Sequence, residues 1–128
     1  MNNVKLNKLN KLNDSRGSFI KIINGEEIKN PFACEVYITT AKPGQSKGGH
    51  FHNRAHEWFY LIKGFVELTT VNVDSGEKEV LLIKENSDEL IYMPPRIAHS
   101  FKNIGKDDFI LLAYTDVTYD PSDTIAYE

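Results

Sequence analysis

The chain has 128 residues and a formal net charge of −3, with 15 Lys and Arg against 18 Asp and Glu. This length suffices for one domain with its own hydrophobic core, and the small negative charge gives no general case for nucleic-acid binding. We therefore expect one domain over residues 1–128 and no nucleic-acid partner. The single cysteine, Cys34, excludes an internal disulfide and suits a reducing compartment.

The hydropathy pattern argues against a membrane location. No run in the sequence approaches the roughly 20 apolar residues that a membrane span requires. The opening residues, Met1-Asn2-Asn3-Val4-Lys5, lack the apolar stretch of a signal peptide. We expect a cytoplasmic protein with no membrane partner.

Short apolar runs, rich in β-branched and aromatic residues, alternate with turn signals along the chain, which is typical of an all-β sandwich or barrel. Helical periodicity is nearly absent. The leucines at positions 6, 9 and 12 make a poor helix, and we expect this segment to add a strand to a neighbour or to a second subunit. The predicted strands then cover residues 18–23, 35–40, 49–52, 57–63, 65–73, 79–84, 89–93, 99–103 and 109–115, with a hairpin turn at Asp74-Ser75-Gly76-Glu77.

Two histidines and a carboxylate lie on one short segment between glycines. His50 and His52 have the spacing that places two side chains on the same face of a strand. The polar turn at residues 53–55 lets a returning strand bring the carboxylate of Glu57 beside them. His99 lies 42 residues beyond Glu57. Three histidines and one carboxylate form a ligand set for a borderline divalent metal with open coordination positions.

A fourth histidine, His56, directly precedes Glu57. Neighbouring residues of a strand face opposite ways, so the two side chains cannot both point into the same barrel. The spacing from Glu57 to Gly64 favours Glu57 as the inward residue. We therefore expect His56 on the outer face or rim.

These residues resemble the cupin superfamily. Residues 44–64 match the first cupin motif at every fixed position. Pro94, His99 and Asn103 match the second cupin motif. Two residues depart from that motif, since Asp88 and Arg96 stand where it usually has glycine. The resemblance implies an all-β, cupin-type double-sheet jelly-roll barrel.

Within the cupins, the chain is most similar to the sugar-nucleotide branch. It resembles the C-terminal cupin domain of bifunctional capsular polysaccharide biosynthesis enzymes and the nucleotide-4-keto-6-deoxysugar 3,4-ketoisomerases. The shared features span almost the whole chain. They are Arg16-Gly17-Ser18-Phe19, Lys42-Pro43-Gly44 leading to residues 47–52, Asn103-Ile104-Gly105-Lys106-Asp107, and Tyr119-Asp120-Pro121.

The resemblance implies an isomerase or epimerase of surface polysaccharide biosynthesis. Such an enzyme removes the C3 proton of a nucleotide-linked 4-keto-6-deoxyhexose through an enolate, and a homodimer is expected from the habit of the fold. Two alternatives remain, a metal-dependent cupin dioxygenase and a non-catalytic sugar-binding cupin. The nucleotide, the sugar, and the choice between epimerisation and ketoisomerisation stay open.

The predicted metal ligands are His50, His52, Glu57 and His99, and the predicted ion is zinc because the reaction needs no redox chemistry. Some members of the sugar-nucleotide branch work without a bound metal and use a motif histidine as base. The ligand set alone leaves both possibilities open.

The predicted catalytic residues are His52, Tyr92 and Tyr37. His52 or His50 is a candidate base if it is not a ligand, because imidazole titrates near neutral pH. Candidate acids are Tyr37, Tyr92 and Tyr114, although tyrosine is also an ordinary barrel-filling residue. Tyr92 is favoured because its strand leads across a double-proline turn into the strand of His99.

For the diphosphate of a nucleotide sugar, the predicted partners are Arg16, Lys47 and Arg96. Arginine matches phosphate oxygens bidentately, and lysine supplies a point charge. Arg16 is favoured because it lies in the matched segment 16–19. Solvation at the surface is the alternative for each.

Overall fold

The computed structural model describes residues 10–23 and 34–127, which form two antiparallel sheets with almost no helix. This confirms the predicted all-β, double-sheet fold. Within these residues, no helix is long and apolar enough to cross a membrane.

The elements in chain order are β1 (Lys11–Asn13), β2 (Ser18–Ile23), β3 (Glu35–Ala41), β4 (Ser46–Phe51), β5 (Glu57–Lys63), β6 (Phe65–Asn72), β7 (Lys78–Lys84), β8 (Ile91–Met93), β9 (Ile97–Asn103), β10 (Phe109–Thr115), a 3-10 turn (Pro121–Asp123) and β11 (Ile125–Ala126).

The six-stranded sheet has the order β1-β2-β3-β10-β5-β8, and the five-stranded sheet has the order β11-β4-β9-β6-β7. In most strands alternate residues face the opposite sheet, and apart from a polar group that includes Glu57 and His99 these are apolar. The buried core therefore takes side chains from both sheets, among them Phe59, Phe109 and Leu111 from the first and Leu68 and Phe101 from the second.

The predicted strands lie where strands are found, with ends that differ by a few residues. β4 begins at Ser46, earlier than predicted, and β8 begins at Ile91, later than predicted. Leu12 lies in β1, which pairs with β2 of the same chain, whereas positions 6 and 9 fall outside the described residues. The short strand β11 was not predicted. The single domain, the cytoplasmic location and the homodimer stay predictions.

A cavity of about 480 Å³ lies between the sheets. Side chains from both sheets line it, including Tyr37 of β3 and His50 of β4. Residues 117–124 follow β10 and form part of its wall. We call this segment the C-terminal strap.

Candidate metal centre and substrate cavity

Four side chains meet on the cavity wall. Ligand atoms of His50, His52, Glu57 and His99 all lie within 4.8 Å of one another, a group that can hold a metal ion. Glu57 begins β5, and His52 follows the end of β4. His50 and His99 are paired directly across β4 and β9. The structure thus brings together all four predicted ligands, and their role as ligands stays a prediction.

Glycine at position 48 allows β4 to approach β9 closely. A Cβ atom there would lie 2.7 Å from the carbonyl oxygen of His99, and Gly48 has a φ of +101°, which favours glycine. The register of β4 against β9 shifts between Gly48 and His50. Such an irregularity redirects the side chains that follow it. His50 consequently faces the cavity beside His99.

His52 lies between a carbonyl and a carboxylate. Its Nδ1 is 2.8 Å from the backbone oxygen of Asp123, so Nδ1 carries the hydrogen and donates. Nε2 then presents a lone pair, 2.8 Å from Oε1 of Glu57. Both of these buried atoms lack a hydrogen-bond partner. Two acceptors this close require a positive charge beside them, either a metal ion or a proton, and the donor set therefore fits a divalent cation.

His99 repeats this arrangement. Its Nδ1 lies 3.1 Å from the backbone oxygen of Ile97, and its Nε2 lies 3.5 Å from Oε1 of Glu57. Histidines that bind metals usually donate their other ring N–H to a carbonyl or carboxylate, which fixes the tautomer. Two of the three clustered histidines meet that condition through backbone carbonyls.

The electrostatics of the cluster set the charge on each group. Burial and the neighbouring histidines lower the pKa of His50 to about 4, and burial also lowers the pKa of His99. Burial lowers the pKa of His52, but the hydrogen bond that the protonated ring donates to Glu57 and the charge of Glu57 outweigh this effect and raise the pKa overall. Burial raises the pKa of Glu57, and the hydrogen bond from protonated His52 together with the histidine charges reverses the shift. Glu57 is therefore anionic and His50 and His99 are neutral at neutral pH, as metal ligands must be.

Tyr37 faces the cavity beside this cluster. Its hydroxyl donates to Oε2 of Glu57 at 3.1 Å. Burial and the negative charge of Glu57 hold the pKa of Tyr37 well above its usual value. The phenol therefore stays protonated and acts as a hydrogen-bond donor. Its catalytic role stays a prediction.

Tyr92 lies outside the cavity, and the structure contradicts its prediction as the favoured acid. Glu57 pairs with Met93 across β5 and β8, so Met93 shares the inward face and Tyr92 points outward. Tyr92 is 48% exposed, and its hydroxyl lies 2.6 Å from Nδ1 of His56. Tyr114, the third candidate acid, also points outward and is exposed.

An aromatic cluster covers this outer face. The ring of Trp58 lies 5.3 Å from that of Tyr92 and 5.6 Å from that of Tyr114, between ring centroids. His56 stacks on Tyr92 at 5.9 Å and faces outward, as predicted. We call these four residues the outer aromatic cluster.

Of the predicted phosphate partners, Arg16 and Lys47 line the cavity. Arg16 is already paired with the carboxylate of Asp14 at 2.8 Å. The ammonium of Lys47 lies 3.4 Å from the backbone oxygen of Ser18 and forms no ion pair within the described residues. Burial and the charge of Arg16 lower the pKa of Lys47. Lys47 is thus the cation with most to gain from an anion in the cavity.

Arg96 is not among the residues that line the cavity, so the structure gives no support to its prediction as a phosphate partner. Its guanidinium binds both carboxylate oxygens of Asp74 and the side-chain oxygen of Asn53, and it packs over the ring of Phe51. Its φ of +69° is the left-handed conformation for which the cupin motif usually has glycine. This backbone conformation directs the side chain of Arg96 away from the cavity. The backbone N–H of Arg96 donates to the carbonyl oxygen of His52.

Two buried acids of the cavity wall were not predicted. Glu35 pairs with Lys21 at 3.1 Å and accepts from the backbone N–H of Tyr119 at 2.6 Å. Asp123, in the strap, binds the turn that precedes Glu57. The only sequence signal near Asp123 was the matched segment 119–121, which did not include it.

Comparison with known proteins agrees with this architecture. The family model described as the polysaccharide biosynthesis C-terminal domain matches residues 12–127. The structure of the capsular polysaccharide assembling protein CapF from Staphylococcus aureus superposes with a TM-score of 0.85 at 26% identity, covering 96% of this chain and 33% of CapF. The likeness therefore covers almost the whole of this chain and about a third of CapF.

Two curated proteins are similar in sequence. UDP-2-acetamido-2,6-β-L-arabino-hexul-4-ose reductase from Pseudomonas aeruginosa is 26% identical over 114 residues, which cover 89% of this chain and 29% of the reductase. Spore coat polysaccharide biosynthesis protein SpsL from Bacillus subtilis is 24% identical over 123 residues, which cover 92% of this chain and 82% of SpsL. The chain thus spans less than a third of the reductase and most of SpsL.

Proposed function

We propose that this chain, which belongs to the polysaccharide biosynthesis C-terminal domain family of sugar-nucleotide cupins, is an isomerase or epimerase of a nucleotide-linked 4-keto-6-deoxyhexose. Its relatives indicate a role in polysaccharide biosynthesis. The Pseudomonas relative is named for a UDP-linked hexul-4-ose, a 4-keto sugar of the proposed class. Because one fold hosts many reactions, the proposal must rest on the site itself.

The observation that carries the proposal is that one cavity joins the four-residue cluster, a protonated phenol and the Lys47 ammonium, which has no acidic partner among residues 10–23 and 34–127. The carbonyl of a 4-keto sugar faces the four-residue cluster and the phenol in this proposal, and the diphosphate faces the Lys47 ammonium. The cavity, at about 480 Å³, has the size of a small-molecule site. The arrangement thus offers one recognition group for each part of the substrate.

His50, His52, Glu57 and His99 would hold a divalent cation, and zinc suits these donors because the reaction needs no redox change. When bound, the cation supplies a Lewis acid for a carbonyl oxygen.

Tyr37 and Lys47 act on the substrate directly in this proposal. The Tyr37 phenol keeps its proton, and its single hydrogen turns from Glu57 to the substrate oxygen that gains negative charge. Lys47, with Arg16 near it, holds the diphosphate far from the reacting carbon. Tyr37 therefore acts mainly on the rate, and Lys47 acts mainly on substrate binding.

Both outcomes begin with the same proton transfer. The bond between C3 and its hydrogen breaks, its electrons form the carbon–carbon double bond of an enolate, and the C4 oxygen takes the charge. Return of the proton to the opposite face of C3 gives the epimer. Return to C4, with the proton of the C3 hydroxyl passing to the C4 oxygen, gives the 3-keto isomer.

His52 acts as the base only where no cation is bound, because the Nε2 lone pair cannot serve both purposes. In that form Glu57 supports the imidazolium that results, since the two groups lie 2.8 Å apart. Chelator treatment separates the two cases. Loss of activity assigns His52 to the cation, and retained activity assigns it to proton transfer.

The test is incubation in D2O with uridine and thymidine diphosphate 4-keto-6-deoxy sugars, with zinc supplied, followed by NMR. Solvent deuterium at C3, or at C4 for the ketoisomerase, is expected to appear faster than in controls without protein. Absence of deuterium from every substrate would overturn the isomerase proposal. Saturable binding without exchange would then support a binding role.

A further inference from the structure

The strap ends in a buried carboxylate outside the four-residue cluster. Asp123 is 4% exposed, and its Oδ1 accepts from the backbone N–H of Asn53 at 2.8 Å. Its Oδ2 accepts from the N–H groups of Arg54 and Ala55 at 3.2 and 3.3 Å. These are three successive donors in the turn that joins His52 to Glu57. A buried charge is costly unless it is hydrogen-bonded, so these bonds account for the burial of Asp123.

The backbone of the same residue contacts His52. The carbonyl oxygen of Asp123 accepts from Nδ1 of His52 at 2.8 Å. The side chain of Asp123 thus holds one side of the turn, and its carbonyl holds the imidazole that precedes the turn. Both contacts belong to one residue, so a change in the hydrogen bonds of its side chain acts next to the carbonyl that holds His52.

We propose that Asp123 is a positioning residue that fixes the tautomer of His52 and the path of the turn leading to Glu57. The inference rests on the proposed metal centre, where Nε2 of His52 must carry a lone pair. Loss of the carboxylate leaves the buried N–H of Ala55 without its acceptor, and the carbonyl of Asp123 is no longer held against Nδ1. His52 can then carry its proton on Nε2, which removes one ligand.

The chain on either side of Asp123 has attachments of its own. The N–H of Tyr119, in the strap, donates to Glu35, and the N–H of Tyr127, beyond the strap, donates to the carbonyl of Gly49. Asp120 caps the 3-10 turn through Ser122 and contacts Arg54 at the surface. Asp120 therefore provides a matched control, an acid on the same strap that does not contact the backbone of residues 53–55.

The test compares Asp123→Asn with Asp120→Asn. Asparagine has the size of aspartate, but its amide hydrogens face the N–H donors of the turn instead of accepting from them. Ring-nitrogen NMR of histidine in metal-free protein, at about pH 9 where imidazoles are neutral, reports the tautomer of His52. Competition with a chelator reports zinc affinity.

We expect the Nδ1–H tautomer in the wild type and in Asp120→Asn, and a mixture of tautomers in Asp123→Asn. Zinc affinity is expected to fall about 10- to 100-fold in Asp123→Asn alone, which is the usual effect of losing a partner that orients a ligand. Loss of stability by itself does not change the tautomer of His52. It therefore cannot produce a difference in this tautomer between the two variants. Circular dichroism checks that each variant is folded.

An Nε2–H tautomer of His52 in the wild type would overturn the inference. Equal effects of the two variants, or no effect of Asp123→Asn, would do the same. If Asp123→Asn does not fold, Asp123→Ser, which keeps one oxygen acceptor, takes its place. If the wild type binds no zinc, the proposed metal centre fails, and the tautomer measurements alone decide the role of Asp123.

Discussion

Two pairs of histidine and tyrosine lie on opposite faces of the six-stranded sheet. On the inner face, His52 and Tyr37 both contact the buried carboxylate of Glu57, at 2.8 and 3.1 Å. On the outer face, His56 and Tyr92 contact each other at 2.6 Å. The residue types are the same, but only the inner pair shares a buried anion and a cavity. Side-chain direction, more than residue type, therefore decides which pair can do chemistry.

The surroundings of the two pairs differ in the same way. Electrostatic interactions are stronger inside the protein, where water is excluded, than at the surface. Burial and the charge of Glu57 hold the Tyr37 phenol in its protonated form. Tyr92 is half-exposed, and its contacts are those of the outer aromatic cluster. We therefore expect substitutions on the inner face to change metal binding and rate, and matched substitutions on the outer face to change neither.

The largest effect on metal binding and deuterium exchange is expected when the carboxylate of Glu57 is removed. Glu57→Ala removes the group that both His52 and His99 face, so bound metal and deuterium exchange should both be lost. His56→Ala removes the neighbouring histidine of the outer face and should keep both. Metal analysis after dialysis and the exchange reaction measure these outcomes. Undiminished metal in Glu57→Ala would show that the ion binds elsewhere on the protein.

A smaller effect, on the rate of deuterium exchange alone, is expected when the hydroxyl of Tyr37 is removed. Tyr37→Phe removes a buried donor, and the exchange rate at saturating substrate should fall about 10²-fold with little change in KM. Tyr92→Phe makes the same change on the outer face and should have the wild-type rate. Steady-state kinetics of both variants measure the difference. Equal rates for the two would remove Tyr37 from the reaction.

The smallest effect, on KM, is expected when the positively charged side chains of the cavity are neutralised. Lys47→Gln should raise KM about 10-fold and leave kcat unchanged, because the diphosphate is held alike in the ground and transition states. Arg16→Gln should raise KM less, since Asp14 already pairs with Arg16. Arg96→Gln, which changes a side chain bound to Asp74 and Asn53 and not among the cavity-lining residues, should leave both constants unchanged. A fall in kcat without a change in KM for Lys47→Gln would contradict a role in holding the diphosphate.

Local sequence was sufficient to bring together three of the four clustered residues. His50 and His52 share a face because side chains alternate along a strand, and the short turn that follows returns Glu57 to them. The strand pattern predicted an all-β sandwich or barrel, and the cupin resemblance implied the double sheet. His99, 42 residues beyond Glu57, belongs to the second cupin motif. Spacing therefore conveys only the features that depend on neighbouring residues, and the resemblance supplied the others.

Tertiary structure decided which other residues join the cluster. The pairing of Glu57 with Met93 turned Tyr92 outward, and the count across the double-proline turn could not give that register. The left-handed turn at Arg96 sent its side chain to Asp74, away from the cavity. His52 and Asp123 meet across 71 positions of the chain. Contacts of this kind depend on how the strands pack and on where the strap crosses the cavity, which no local pattern specifies.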